Sequence, residues 1–124
     1  MQTAELFRRG IVVPLDRDAE ESLRANNVND SMNVRYLSIA NDWMFETLWE
    51  VGLFRAINSQ CASLLDDYEE EMVEASSAAG VLAAIELVAG NASAQQSDVA
   101  KFLEDMRLLA DEASKLSRPI LFVL

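Results

Sequence analysis

LFRAINSQCASLLDDYEEEMVEA, residues 53–75, joins an apolar segment to the densest acidic run of the chain. Wound as one helix at about 100° per residue, it sets Ile57, Cys61, Leu64, Leu65, Tyr68, Met72 and Ala75 on one face. The same winding turns Asp66, Asp67, Glu69, Glu70, Glu71 and Glu74 to the other side, over roughly 200° of the wheel. A strongly amphipathic helix over 53–75 is therefore predicted, and with it an all-α chain. The carboxylates lie inside residues 56–100, which hold no Lys or Arg and eight of the 21 acidic residues, so much of the net charge of -11 is concentrated there.

Working outward, Ser76 or Ser77 caps a helix over 78–89 that is apolar nearly all round and ends at Gly90-Asn91. Ser93 and Gln96 form a capping box for a last helix, whose stripe is Val99, Phe102, Leu103, Met106, Ala110, Ala113 and Leu116. Lys115 and Arg118 suit its C-terminal dipole, and Pro119 stops it. Upstream, Gly52 permits a break or a kink. Before it, Val34, Leu37, Trp43, Met44, Leu48 and Val51 recur at helical spacing and predict a helix capped by Asp30 or Ser31. Tyr36, Ile39, Ala40, Phe45 and Trp49 widen that apolar stripe, and helical spacing assigns the crowded aromatics to core packing.

Asp18 and Glu21 resemble a capping box for a short helix over 19–25. Residues 11–15, Ile-Val-Val-Pro-Leu, read as a short extended or edge segment because Pro14 interrupts a β-branched run. The run Ile120-Leu121-Phe122-Val123-Leu124 is an aggregation hazard if left in water, so burial is expected, and pairing with residues 11–15 would accomplish it. The reading is one domain, 1–124: an all-α bundle of four to five helices with short, paired extended ends.

Composition narrows the function classes. With 51% hydrophobic residues the chain can bury a core, so the charge does not signal disorder. Ten basic residues among 21 acids disfavour nucleic acid and anionic membrane surfaces, both of which need clustered Lys and Arg. Cys61 is the sole cysteine, and the N-terminal residues do not read as a signal peptide, so a cytoplasmic setting is expected. The most apolar stretch, 78–89, falls short of the ~20 residues that a membrane span needs.

Catalytic chemistry finds few candidates. With no His there is no nucleophilic dyad or HExxH zinc site, and four isolated glycines make no phosphate loop. Cys61 sits beside Leu64 and Leu65 on the apolar face and reads as a small core residue. No catalytic residue, metal ligand or cofactor is assigned. Glu70-Glu71-x-x-Glu74 has the form EExxE and resembles the first metal motif of the all-α nucleoside triphosphate pyrophosphatases of the MazG and dimeric dUTPase type, which implies Mg²⁺-dependent nucleotide hydrolysis. The partner ExxD pair of that family is missing, since Glu86 is followed three residues on by Ala89 and Glu104 by Arg107.

A helix bearing the like-charged i,i+4 pairs Asp66/Glu70, Asp67/Glu71 and Glu70/Glu74 repels itself, by about 0.2–0.5 kcal/mol per pair. A cationic partner would relieve that repulsion and be steered by it. The leading expectation is thus a non-enzymatic acidic module, similar in size and charge to bacterial immunity proteins, antitoxins and secretion chaperones. It neutralises or carries a basic protein through Asp66, Asp67, Glu69, Glu70, Glu71 and Glu74. A homo-oligomer subunit using the tail 120–124 is a further reading.

Overall fold

The structure is a computed structural model that describes residues 1–91 and 93–124 in full. Its elements run α1 (Thr3–Leu6), β1 (Gly10–Pro14), α2 (Arg17–Arg24), β2 (Val34–Ser38), α3 (Asp42–Glu50), α4 (Leu53–Cys61), β3 (Glu70–Val73), α5 (Ala78–Ala89), α6 (Ser97–Leu116) and β4 (Ile120–Val123). The chain is therefore mixed α and β, which corrects the all-α helical-bundle expectation. The strands form one antiparallel sheet in the order β2-β1-β4-β3.

The terminal strands account for the sheet. Ile11 and Val13 alternate with Val12, and Ile120, Phe122 and Leu124 alternate with Leu121 and Val123; all are buried, so both faces of the sheet are covered. Ile11, Val13, Ile120, Phe122 and Val73 enter the main core with Leu48, Phe54, Ile57, Val81, Val99 and Met106 from α3, α4, α5 and α6. Val12, Leu121 and Val123 pack on the opposite face with Phe7, Leu23 and Val28. A strand buried on both faces needs a neighbour at each edge, because its backbone N–H and C=O groups are cut off from water. β4 takes β1 on one side and β3 on the other.

That demand overrides helical periodicity in two places. Residues 34–51, expected as one helix, divide into β2 and α3, with Asn41 capping α3 by accepting the Met44 N–H at 2.9 Å. Residues 53–75 divide into α4, a loop and β3. Along β3, Glu70 and Glu71 alternate across the pleat, so the repulsive i,i+4 stacking of a helix does not arise.

Several expectations hold. α5 spans the predicted 78–89, α6 ends just before Pro119, and the tail pairs with β1 in the register Ile11 to Phe122. Gly52 breaks the chain at φ 85° between α3 and α4. β1, by contrast, is central rather than an edge. Its proline is tolerated because the β1–β4 ladder stops at Val12–Leu121; continuing that register would oppose Pro14 to Pro119, neither of which has an N–H to donate.

Candidate functional site

The acidic run occupies the loop between α4 and β3, residues 62–69, and the strand after it. α4 stops where Ala62 turns left-handed at φ 54°. The Asn58 side chain then acts as a surrogate strand: Oδ1 accepts the Leu65 N–H at 2.7 Å and the Ser63 hydroxyl at 2.8 Å, and Nδ2 donates to the Leu65 carbonyl at 3.1 Å. Leu65 is thereby anchored in the core. Its neighbour Leu64 donates its N–H to Glu71 Oε2 at 2.7 Å and points its side chain outward, 79% exposed. Asp66 accepts the Asp67 N–H at 2.8 Å, and Tyr68, left-handed at φ 62°, is 81% exposed.

Arg9, at the mouth of β1, ties this loop to α3. Its guanidinium lies 4.1 Å above the Phe45 ring and 5.7 Å from the Tyr68 ring centroid. Nη1 donates to Asp42 at 3.0 Å and Nη2 to Asp67 at 3.3 Å. Trp43, next to Asp42 at the start of α3, is 48% exposed. Beside Tyr68 an open groove of about 520 Å³ runs past Glu5, Arg8, Glu69, Glu70 and Leu124.

The six carboxylates predicted as one face are divided by this geometry. Asp67 is matched by Arg9, and Glu74 receives two hydrogen bonds from Arg24. The Arg24 hydrogen bonds hold the Glu74 carboxyl below its ordinary range, against an opposing effect of burial. Glu71 is engaged with the Leu64 amide. Asp66, Glu69 and Glu70 have no ion pair among the described residues. Elsewhere the basic side chains are nearly all committed: among the described residues Arg8 and Arg55 alone of the ten stand outside the ion pairs, so the surplus is carboxylate.

EExxE loses the helical geometry on which its resemblance rests. Glu70 and Glu71 point to opposite faces of the sheet, and Glu74 is clamped by Arg24. No group of three Asp, Glu, Cys or His side chains is placed to hold a metal among the described residues. Cys61 is half-buried with Sγ 3.4 Å from the Ser77 carbonyl, and burial pushes its thiol pKa up, away from the reactive thiolate. The tail Ile120–Leu124 is core.

Leu64 and Tyr68 are the residues that helical reading misplaced, since it put both on the buried face. Turn chemistry marks the break, with Asn58, Ser63, Asp66 and Asp67 all able to bond nearby backbone. The aromatics divide likewise: Phe45 and Phe54 are buried and Trp49 partly so, while Tyr36 and Trp43 are exposed. No helix is long and apolar enough to cross a membrane among the described residues. Comparison with protein-family models, with curated proteins and with solved structures finds no match.

Proposed function

We propose that this chain is a non-enzymatic binding module that neutralises or carries a basic partner protein, with the α4–β3 loop as its docking surface. The observation that carries the reading is the presentation of Leu64 and Tyr68, 79% and 81% exposed, on a loop held from beneath by Asn58, Glu71 and Arg9. Large apolar side chains on a preorganised loop supply contact energy at low ordering cost. Asp66, Glu69 and Glu70 flank them with unmatched negative charge, which draws a cationic surface and sets its orientation. Apolar anchors thus do most of the holding and carboxylates the steering. A cytoplasmic setting belongs to this reading, supported by the lone Cys61.

The test is a pull-down from the native host followed by affinity measurement on the captured protein at two salt concentrations. Tyr68→Ala with Leu64→Ala is expected to weaken binding at least tenfold, roughly 1.4 kcal/mol, by raising the dissociation rate. Glu70→Gln with Glu69→Gln is expected to slow association and flatten its salt dependence. A captured protein bound equally well by all variants would overturn the assignment of this loop.

A further inference from the structure

The two edges of the sheet are defended differently. Register opposes Ile39 to Arg9 and Asn33 to Leu15, with the Ile39 N–H donating to the Arg9 carbonyl and the Leu15 N–H to the Asn33 carbonyl. Odd-numbered residues of β2 therefore turn their peptide groups toward β1. Val34, Tyr36 and Ser38 turn N–H and C=O outward, and none of these groups has a protein partner among the described residues. At the opposite edge, β3 is guarded by the carboxylates of Glu70 and Glu74. β2 contains no proline, and its one charge, Arg35, is bonded to Glu112 of α6 at 3.0 Å.

Alongside β2 an open groove of about 510 Å³ separates the strand from α6, with Leu37, Leu108 and Leu109 as its apolar floor; Leu108 is 53% exposed. Its charged rim consists of the matched pairs Arg35–Glu112 and Lys115–Asp111 together with Asp105, which is paired to Lys101 just outside the groove. With Lys101 bonded to Asp105, this patch is locally neutral on a chain of net charge -11, so a second copy meets little local charge repulsion there.

We propose that a second copy of this chain occupies that edge, β2 pairing antiparallel with β2 about a two-fold axis through Tyr36 to make one eight-stranded sheet. Val34 then exchanges hydrogen bonds with the second copy's Ser38, and Tyr36 with its own counterpart. Every outward peptide group of the strand is satisfied. Arg35 lies opposite the second copy's Leu37, and the two α6 helices close over the joint groove. A cationic segment is not the occupant, because the charges of the rim cancel; the unmatched carboxylates lie on the α4–β3 loop.

Sedimentation equilibrium from about 1 μM to about 500 μM tests this, since self-association must follow mass action. The expected result is twice the monomer mass of 13.8 kDa at the upper end. Ser38→Pro removes an outward N–H without touching the β1 ladder, and Leu108→Glu charges the groove; each should hold the mass at 13.8 kDa with an unchanged circular dichroism spectrum. Should either variant misfold, amide exchange in the wild-type chain decides instead. Tyr36 and Ser38 amides should slow by more than about tenfold at the dimer concentration, while those of Arg35 and Leu37 stay as they were. A wild-type mass of 13.8 kDa throughout, open-ended assembly, or a dimer whose outward β2 amides remain fast would overturn the proposal.

Discussion

Arg24 and Glu74, fifty residues apart, meet in a two-pronged ion pair, Nη2 to Oε1 at 2.7 Å and Nη1 to Oε2 at 3.0 Å. α2 thereby reaches past the end of β3 and matches the last carboxylate of the acidic run. Both side chains are 41% or more exposed, so solvent screening limits the pair to about 1 kcal/mol or less. The Glu74 carboxyl is held below its ordinary 4.5 in the folded chain and returns to it on unfolding. A depressed carboxylate stabilises above the unfolded value, and that contribution is lost as pH falls through the folded one. Glu74→Gln should therefore unfold at lower urea than wild type at pH 7, and the two midpoints should converge on acidification below the folded value.

Gly10 is required by the ring of Tyr36. A Cβ at position 10 would fall against Tyr36 Cε2 and within 2.9 Å of the Leu37 carbonyl oxygen. The ring instead crosses β1 at this glycine, packs 5.2 Å from Phe7 and donates its hydroxyl to the Arg8 carbonyl at 3.2 Å. Gly10→Ala should cost about 1–3 kcal/mol through forced displacement of the ring, despite the lower flexibility of alanine in the unfolded chain. Denaturant unfolding of Gly10→Ala alone and with Tyr36→Ala checks this, because the penalty should shrink once the ring is gone.

Asn58 is the keystone of the α4–β3 loop. Without its side chain the Leu65 amide and the Ser63 hydroxyl lose their partner in a part-buried site, a cost of about 1–3 kcal/mol. Asn58→Ala should lower stability by that amount. It should also raise amide exchange across residues 62–69 while leaving β1 and β4 protected, a pattern that exchange mass spectrometry resolves.

Cys61 and Gly80 face each other where α4 packs on α5. A methyl at position 80 would come 2.8 Å from Sγ and 3.1 Å from the Gln60 carbonyl oxygen. Gly80→Ala should destabilise by about 1–3 kcal/mol even though alanine favours helix. Adding Cys61→Ala should restore part of that loss, the coupling expected of touching sites. With its thiol pKa raised by burial, Cys61 should react with alkylating reagents at neutral pH more slowly in the folded chain than in urea.

The elements that could be read correctly carry their own local instructions. Residues 78–89 are an Ala-rich apolar run with an explicit stop at Gly90-Asn91, the helix ending before Pro119 has helical apolar spacing and its own stop, and the terminal apolar runs have no stable alternative to burial against each other. Residues 34–38 and 70–73 carry no such instruction. Val34, Leu37 and Met72 satisfy a helical wheel and a pleated strand alike, and Val73, which falls among the acidic residues on the wheel, is the single misfit.

The charge surplus, the lack of histidine chemistry, the helices at 78–89 and before Pro119, and the need to bury 120–124 all follow from composition and local pattern. Long-range packing set the rest. β4 is buried on both faces and must find hydrogen-bond partners at both edges, so it recruits β1 and β3, and β1 in turn recruits β2. Once β3 was drawn into the sheet, the acidic run could not stay on one helical face. Arg9 and Arg24 then took up two of its carboxylates, and Leu64 and Tyr68 were left in solvent. That outcome depends on contacts between residues tens of positions apart, to which no local periodicity responds.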